Sequence, residues 1–121
     1  RLVLPGPQHG LRKLVDDVAL QRGLSLSIAV EADDLQVLKD LSMRRLGATI
    51  LPLAAVRQEV EQGRLAAAPI VDPALSRRLV VAEALGRQMS NAARAFAREL
   101  RAEVTDMVQA GIWTGQLLRE R

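Results

Sequence analysis

Apolar residues along this chain recur in two rhythms, every second position and every third or fourth, and the alternation between them predicts the fold. Leu2-Val3-Leu4 is a short apolar run closed by Pro5-Gly6-Pro7, which reads as a buried strand entering a rigid loop. Leu11, Leu14, Val15, Val18 and Ala19 follow at helical spacing. Arg12, Asp16 and Asp17 lie on the opposite face, and Gly23 stands where a C′ residue belongs. Leu24, Leu26, Ile28 and Val30 alternate with Ser25, Ser27 and Ala29, the pattern of a strand with one greasy face. Asp33 or Asp34 is then a natural N-cap for a helix that carries Leu35, Leu38 and Leu41 inward.

The stretch Leu46-Gly47-Ala48-Thr49-Ile50-Leu51-Pro52 is expected to be the organising element. Gly47 punctuates a helix end, Thr49-Ile50-Leu51 has the composition of a buried central strand, and Pro52 cannot donate to a ladder. A helix over 53–62 with Leu53, Val56 and Val60 inward is stopped by Gly63. Strands are predicted over 65–71 and 79–82, with no room between them for a crossover helix. Met89 to Val108 makes one long amphipathic helix, with Ser90 as cap and Gly111 as stop. The order β-α-β-α-β-α-β-β-α specifies an α/β fold: a doubly wound, mainly parallel sheet with helices on both faces.

Composition narrows the function classes. The 121 residues suit one continuous core, and 49% hydrophobic with 26% charged residues is ordinary for a globular chain. Phe96 and Trp113 are the only aromatics, so a base-stacking surface has almost nothing to stack on. The net charge of +3 is spread along the chain without a dense basic stripe for phosphates. There is no cysteine, hence no disulfide or thiolate chemistry, and the single histidine, His9, cannot by itself build a His-based metal site. No apolar run reaches the length of a membrane span. The chain opens on a strand without an initiator Met, and the expectation is that it is part of a longer protein.

Candidate chemistry lies in the loops that follow strands and precede helices: Pro5 to His9, Glu31 to Leu35, and the neighbourhood of Pro52. Parallel strands bring such loops to one sheet edge, where free helix N-terminal N–H groups suit a carboxylate or another small anion. The plainer reading is that Pro5-Gly6-Pro7 is a turn and that Asp33 and Asp34 are caps. Adjacent carboxylates at a helix start usually point apart, His9 has no Gly-x-Ser-x-Gly partner, and there is no glycine-rich phosphate loop. No catalytic residue, metal ligand or cofactor site is predicted, and the chain is not read as an enzyme.

Taken together, Pro5-Gly6-Pro7-Gln8-His9-Gly10, Val30-Glu31-Ala32-Asp33, Leu46-Gly47-Ala48-Thr49-Ile50-Leu51-Pro52, Gly63-Arg64-Leu65 leading to Pro69-Ile70, and Leu75-Ser76-Arg77-Arg78-Leu79-Val80-Val81 resemble LysR-type transcriptional regulators, in their C-terminal effector-binding domain. The family pattern has a second glycine two residues before Gly47, where this chain has Arg45. The resemblance covers nearly the whole chain. It implies one lobe of a type II periplasmic-binding-protein-like fold: residues 1–86 as effector-binding lobe two, and residues 87–121 as the C-terminal helix and tail belonging to lobe one. It further implies a bacterial, cytoplasmic, homo-oligomeric regulator that binds a small, often anionic metabolite in an interlobe cleft and reaches DNA through a domain outside this chain. The ligand-binding positions it implies on this lobe are Pro5, Gly6, Gln8, His9, Asp33, Asp34 and Leu35. A lobe of a periplasmic solute-binding protein is the alternative; a receiver-like phosphotransfer domain ranks below both, because Pro5-Gly6 and Arg78 stand where its acidic pair and lysine belong.

Overall fold

The computed structural model describes residues 1–82 and 88–118. They divide into two compact units, Arg1–Ser76 and Arg77–Arg121, each described by itself. The expected boundary between residues 86 and 87 lies outside the described residues.

The first unit opens with β1 (Leu2–Leu4), followed by α1 (Gly10–Gln21), β2 (Ile28–Glu31), α2 (Leu35–Met43) and α3 (Leu53–Glu61). The two strands pair in parallel, with Leu2 opposite Ile28, Val3 opposite Val30 and Leu4 opposite Glu31. On its other side β1 meets a single parallel bridge at Ala48: the Val3 N–H donates to the Ala48 carbonyl at 2.8 Å and the Ala48 N–H to the Arg1 carbonyl at 3.1 Å. The middle position of the sheet therefore belongs to β1. Val3 and Leu4 are fully buried, as a strand covered on both faces requires.

This corrects the expected centre. Thr49-Ile50-Leu51 forms no ladder; the chain leaves β1 after Ala48 and turns toward Pro52. Ile50 and Leu51 still pack against the cluster of Leu4, Leu11 and Val15, so their apolar character serves burial rather than pairing. Gly47 is required by the close approach, because a Cβ there would stand 2.9 Å from the Arg1 carbonyl oxygen. The strand expected from Leu24 is confined to Ile28–Glu31, and Leu24 is exposed. Residues 65–71 are likewise no strand; only an isolated antiparallel bridge joins Val71 to Ala74. Thus the first unit is an α/β unit with a small parallel sheet.

Helix boundaries follow local chemistry closely. Asp34 caps α2 by accepting from the Val37 N–H at 2.9 Å. All three helices of this unit close with the same pair of backward bonds, as in Gly23 N–H to Leu20 and Leu24 N–H to Ala19. The left-handed residue that this closure needs is Gly23 after α1, Gly63 after α3, and Arg45 (φ 62°) after α2. A Cβ in that region is strained, since it crowds the following carbonyl. Arg45→Gly is expected to stabilise the chain by about 0.5–1 kcal/mol, read as a higher urea midpoint at unchanged slope.

In the second unit, α4 (Asn91–Gln109) begins where Ser90 accepts from the Ala93 N–H at 3.1 Å, and it closes through Gly111 at φ 69°. Ala97 is buried, whereas Phe96 is 69% exposed. Leu79-Val80-Val81-Ala82, expected as a strand, has no regular structure and is exposed. A strand needs a partner backbone, and none of the described residues pairs with it.

Candidate functional site

Because β1, β2 and the Ala48 bridge run parallel, the segments that follow them leave the sheet at one edge. The sequence-predicted residues divide there into distinct roles. Pro5 is fully buried and closes β1. Gly6, Pro7, Gln8 and His9 form a turn in which the His9 N–H donates to the Gly6 carbonyl at 3.0 Å, with proline at the position that its fixed φ favours. His9 is the N-cap of α1: its Nδ1 accepts from the Leu11 N–H at 3.2 Å. That bond uses the Nδ1 lone pair, so the hydrogen of the neutral ring sits on Nε2. Gln8 is exposed, and Leu35, the first residue of α2, is 44% exposed.

Asp33 and Asp34 point to different tasks, as adjacent carboxylates at a helix start should. Asp34 is spent on its cap. Asp33 reaches across to the first loop and accepts from the Gly6 N–H at 2.8 Å, over 27 positions of sequence. The loops are so close that a Cβ on Gly6 would lie 3.1 Å from Asp33 Oδ1. The structure therefore brings Gly6 and Asp33 into direct contact, and it fills with protein carboxylate one of the amides that an anion could have used.

Below these loops lies a cluster that the sequence pattern concealed. Arg12, expected on the polar face, is only 9% exposed. Its Nη1 donates to the Pro5 carbonyl at 3.0 Å and to Glu31 Oε1 at 2.7 Å, and its Nε lies 2.9 Å from each oxygen of Asp16. The hydrogen bond with Glu31, then that with Asp16, raise the guanidinium pKa further above its already high value, against the opposing effect of burial. Asp16 at i+4 was the one local signal for this cluster. Thr49 Oγ1, in the third segment, is buried with no hydrogen-bond partner. A second buried pair, Lys39 Nζ to Glu59 Oε1 at 2.7 Å, joins α2 to α3. Among the described residues no group of His, Cys, Asp and Glu could hold a metal ion, and no helix is long and apolar enough to cross a membrane.

Comparison with known proteins gives this geometry a setting. The family model of the LysR substrate binding domain matches residues 1–105. A protein described as a probable RuBisCO transcriptional regulator, from Gracilaria tenuistipitata var. liui, is 27% identical over 103 residues. The match covers 83% of this chain and 33% of that relative, so the chain spans about a third of the length of the regulator it matches. No solved structure matches the chain at a significant level. With the family model covering most of its length, the chain belongs to the LysR substrate binding domain family.

Proposed function

We propose that the chain is the ligand-sensing part of a LysR-type DNA-binding transcriptional regulator. In this reading residues 1–86 are the second lobe of a type II periplasmic-binding-protein-like fold, and 87–121 return to the first lobe. The effector is a small metabolite with an anionic group, held in the cleft between lobes. The whole regulator is bacterial and cytoplasmic, works as a homo-oligomer without catalysis, and meets DNA through another domain.

The observation that carries the placement of the site is the meeting of the β1 and β2 loops at one sheet edge, Gly6 against Asp33. Around that contact stand groups suited to a carboxylate that also bears acceptors and donors. His9 offers Nε2–H while Nδ1 caps its helix, and Gln8 offers an exposed amide. The name of the matched relative favours a regulator over a periplasmic solute-binding protein.

In the full-length regulator, His9→Ala and Asp33→Ala are each expected to weaken the effector response about tenfold, the worth of one hydrogen bond to a charged group. Operator affinity should stay at wild type. Reporter transcription against effector concentration, paired with gel shifts on the operator, reads both quantities. Wild-type responses from both variants would reduce these loops to turns and caps.

A further inference from the structure

The Pro5–Gly6 peptide group is held from both ends by side chains of opposite charge. Its carbonyl accepts from Arg12 Nη1 at 3.0 Å, and its N–H donates to Asp33 Oδ1 at 2.8 Å. In a trans peptide these two groups point in opposite directions, so the side chains grip the plane from its two edges. The grip on the carbonyl side is itself anchored: Arg12 is tied to Glu31 at the end of β2 and to Asp16 one turn along α1. On the amide side, Asp33 immediately precedes the Asp34 cap of α2. Beside the ladder bond from the Ala32 N–H to the Leu4 carbonyl, two side chains, one from α1 and one from the β2 loop, thus converge on one peptide group.

We propose that this peptide is a clamped joint, with Arg12 and Asp33 as positioning residues that lock the β1 loop to the start of α2 as a single unit. The sequence around it explains why a clamp is needed. Gly6 lacks a Cβ, so on its glycine side the plane between Pro5 and Gly6 has more freedom than a residue with a side chain would allow. The turn Gly6–His9 leads directly into α1, which His9 caps, so rotation of the plane would carry the entry of that helix with it. Asp33 is the exposed half of the clamp and Arg12 the buried half. Release from outside therefore acts through Asp33: a ligand donor that draws its carboxylate away frees the Gly6 N–H for an acceptor on the same ligand. That consequence for sensing rests on the function proposed above; the clamp does not.

The test needs no ligand. In the full 121-residue chain labelled with 15N, the Gly6 amide is followed by its proton shift and its hydrogen-exchange rate. Asp33→Asn is expected to move the Gly6 proton upfield and to speed its exchange at least tenfold, because the charged acceptor is lost. Arg12→Lys, which keeps the charge but loses the fork, is expected to speed Gly6 exchange several-fold although it does not touch that amide. Exchange of the Leu38 amide inside α2 should be unchanged in both. A Gly6 amide unmoved by Asp33→Asn, or one indifferent to Arg12→Lys, overturns the proposal. If Arg12→Lys lowers protection everywhere, Glu31→Gln loosens the same side and is read in the same way. A clamp that fails here while His9→Ala still blunts the effector response would leave the proposed function standing without this joint.

Discussion

Arg12→Met is expected to cost the chain about 3 kcal/mol of stability, comparable to truncating a buried core residue. The loss has three parts. The Pro5 carbonyl at the end of β1 forfeits its donor, Glu31 and Asp16 forfeit their counter-charge, and the flexible methionine covers the space without replacing any bond. Removing one partner of a buried ion pair commonly costs more. Here the side chains of Glu31 and Asp16 are 47% and 42% exposed, so both recover water once the guanidinium has gone. Urea unfolding checks the value: the midpoint should fall at a constant slope, and Arg12→Lys should restore part of it. A loss below about 1 kcal/mol would mean that the cluster is surface decoration in the sense of ordinary exposed ion pairs.

The same cluster shows where a sequence stops being legible. Helix ends could be read directly, because caps and stops are local chemistry. Asp34, Ser90, Gly23, Gly63 and Gly111 stand where the spacing places them. The parallel pairing of β1 with β2 also followed from the apolar rhythm and the helix between them. Burial of Arg12 is not legible, because helical spacing alone puts it opposite Leu11 and Val15, while its partners Pro5 and Glu31 come from the ends of two strands. Burial of a cation is decided by such distant acceptors, and no window of neighbouring residues contains them.

Strands failed for a related reason. Apolar, β-branched composition at Thr49-Ile50-Leu51 reports that these residues face the core, and Ile50 and Leu51 do. It cannot report whether a backbone lies alongside to complete a ladder. Leu79–Ala82 makes the point more sharply, being exposed and irregular despite a strand-like sequence. At the candidate site the loops and their shared edge were legible, since parallel topology follows from element order. The division of labour between Asp33 and Asp34 was not. Either could cap α2, and only the approach of Gly6, free of a Cβ, gives Asp33 a different partner.

Lys39→Met is expected to cost about 2 kcal/mol and to change how stability responds to acid. Lys39 and Glu59 keep only 13% and 6% of their side-chain surface, and their bond of 2.7 Å is an ion pair joining α2 to α3. Without the ammonium, the Glu59 carboxylate retains a weaker neighbour in Arg64 at 3.8 Å, which holds the loss below that of a wholly orphaned charge. The hydrogen bond from Lys39, aided by a backbone N–H, keeps the Glu59 pKa below its ordinary 4.5, against the desolvation that would raise it. A carboxylate depressed in the folded state adds stability that is complete above its unfolded pKa and is lost as pH falls through the folded one. Wild-type stability should therefore decline below about pH 4.5 as Glu59 takes up its proton. In Lys39→Met the main cause of the depression is gone, so this acid-dependent decline should shrink, and Glu59→Gln should remove the contribution of that residue altogether. Urea midpoints measured from pH 3 to pH 7, roughly the window in which carboxylates titrate, decide the matter. Parallel pH profiles for wild type and Lys39→Met would show that the pair contributes no proton linkage to folding.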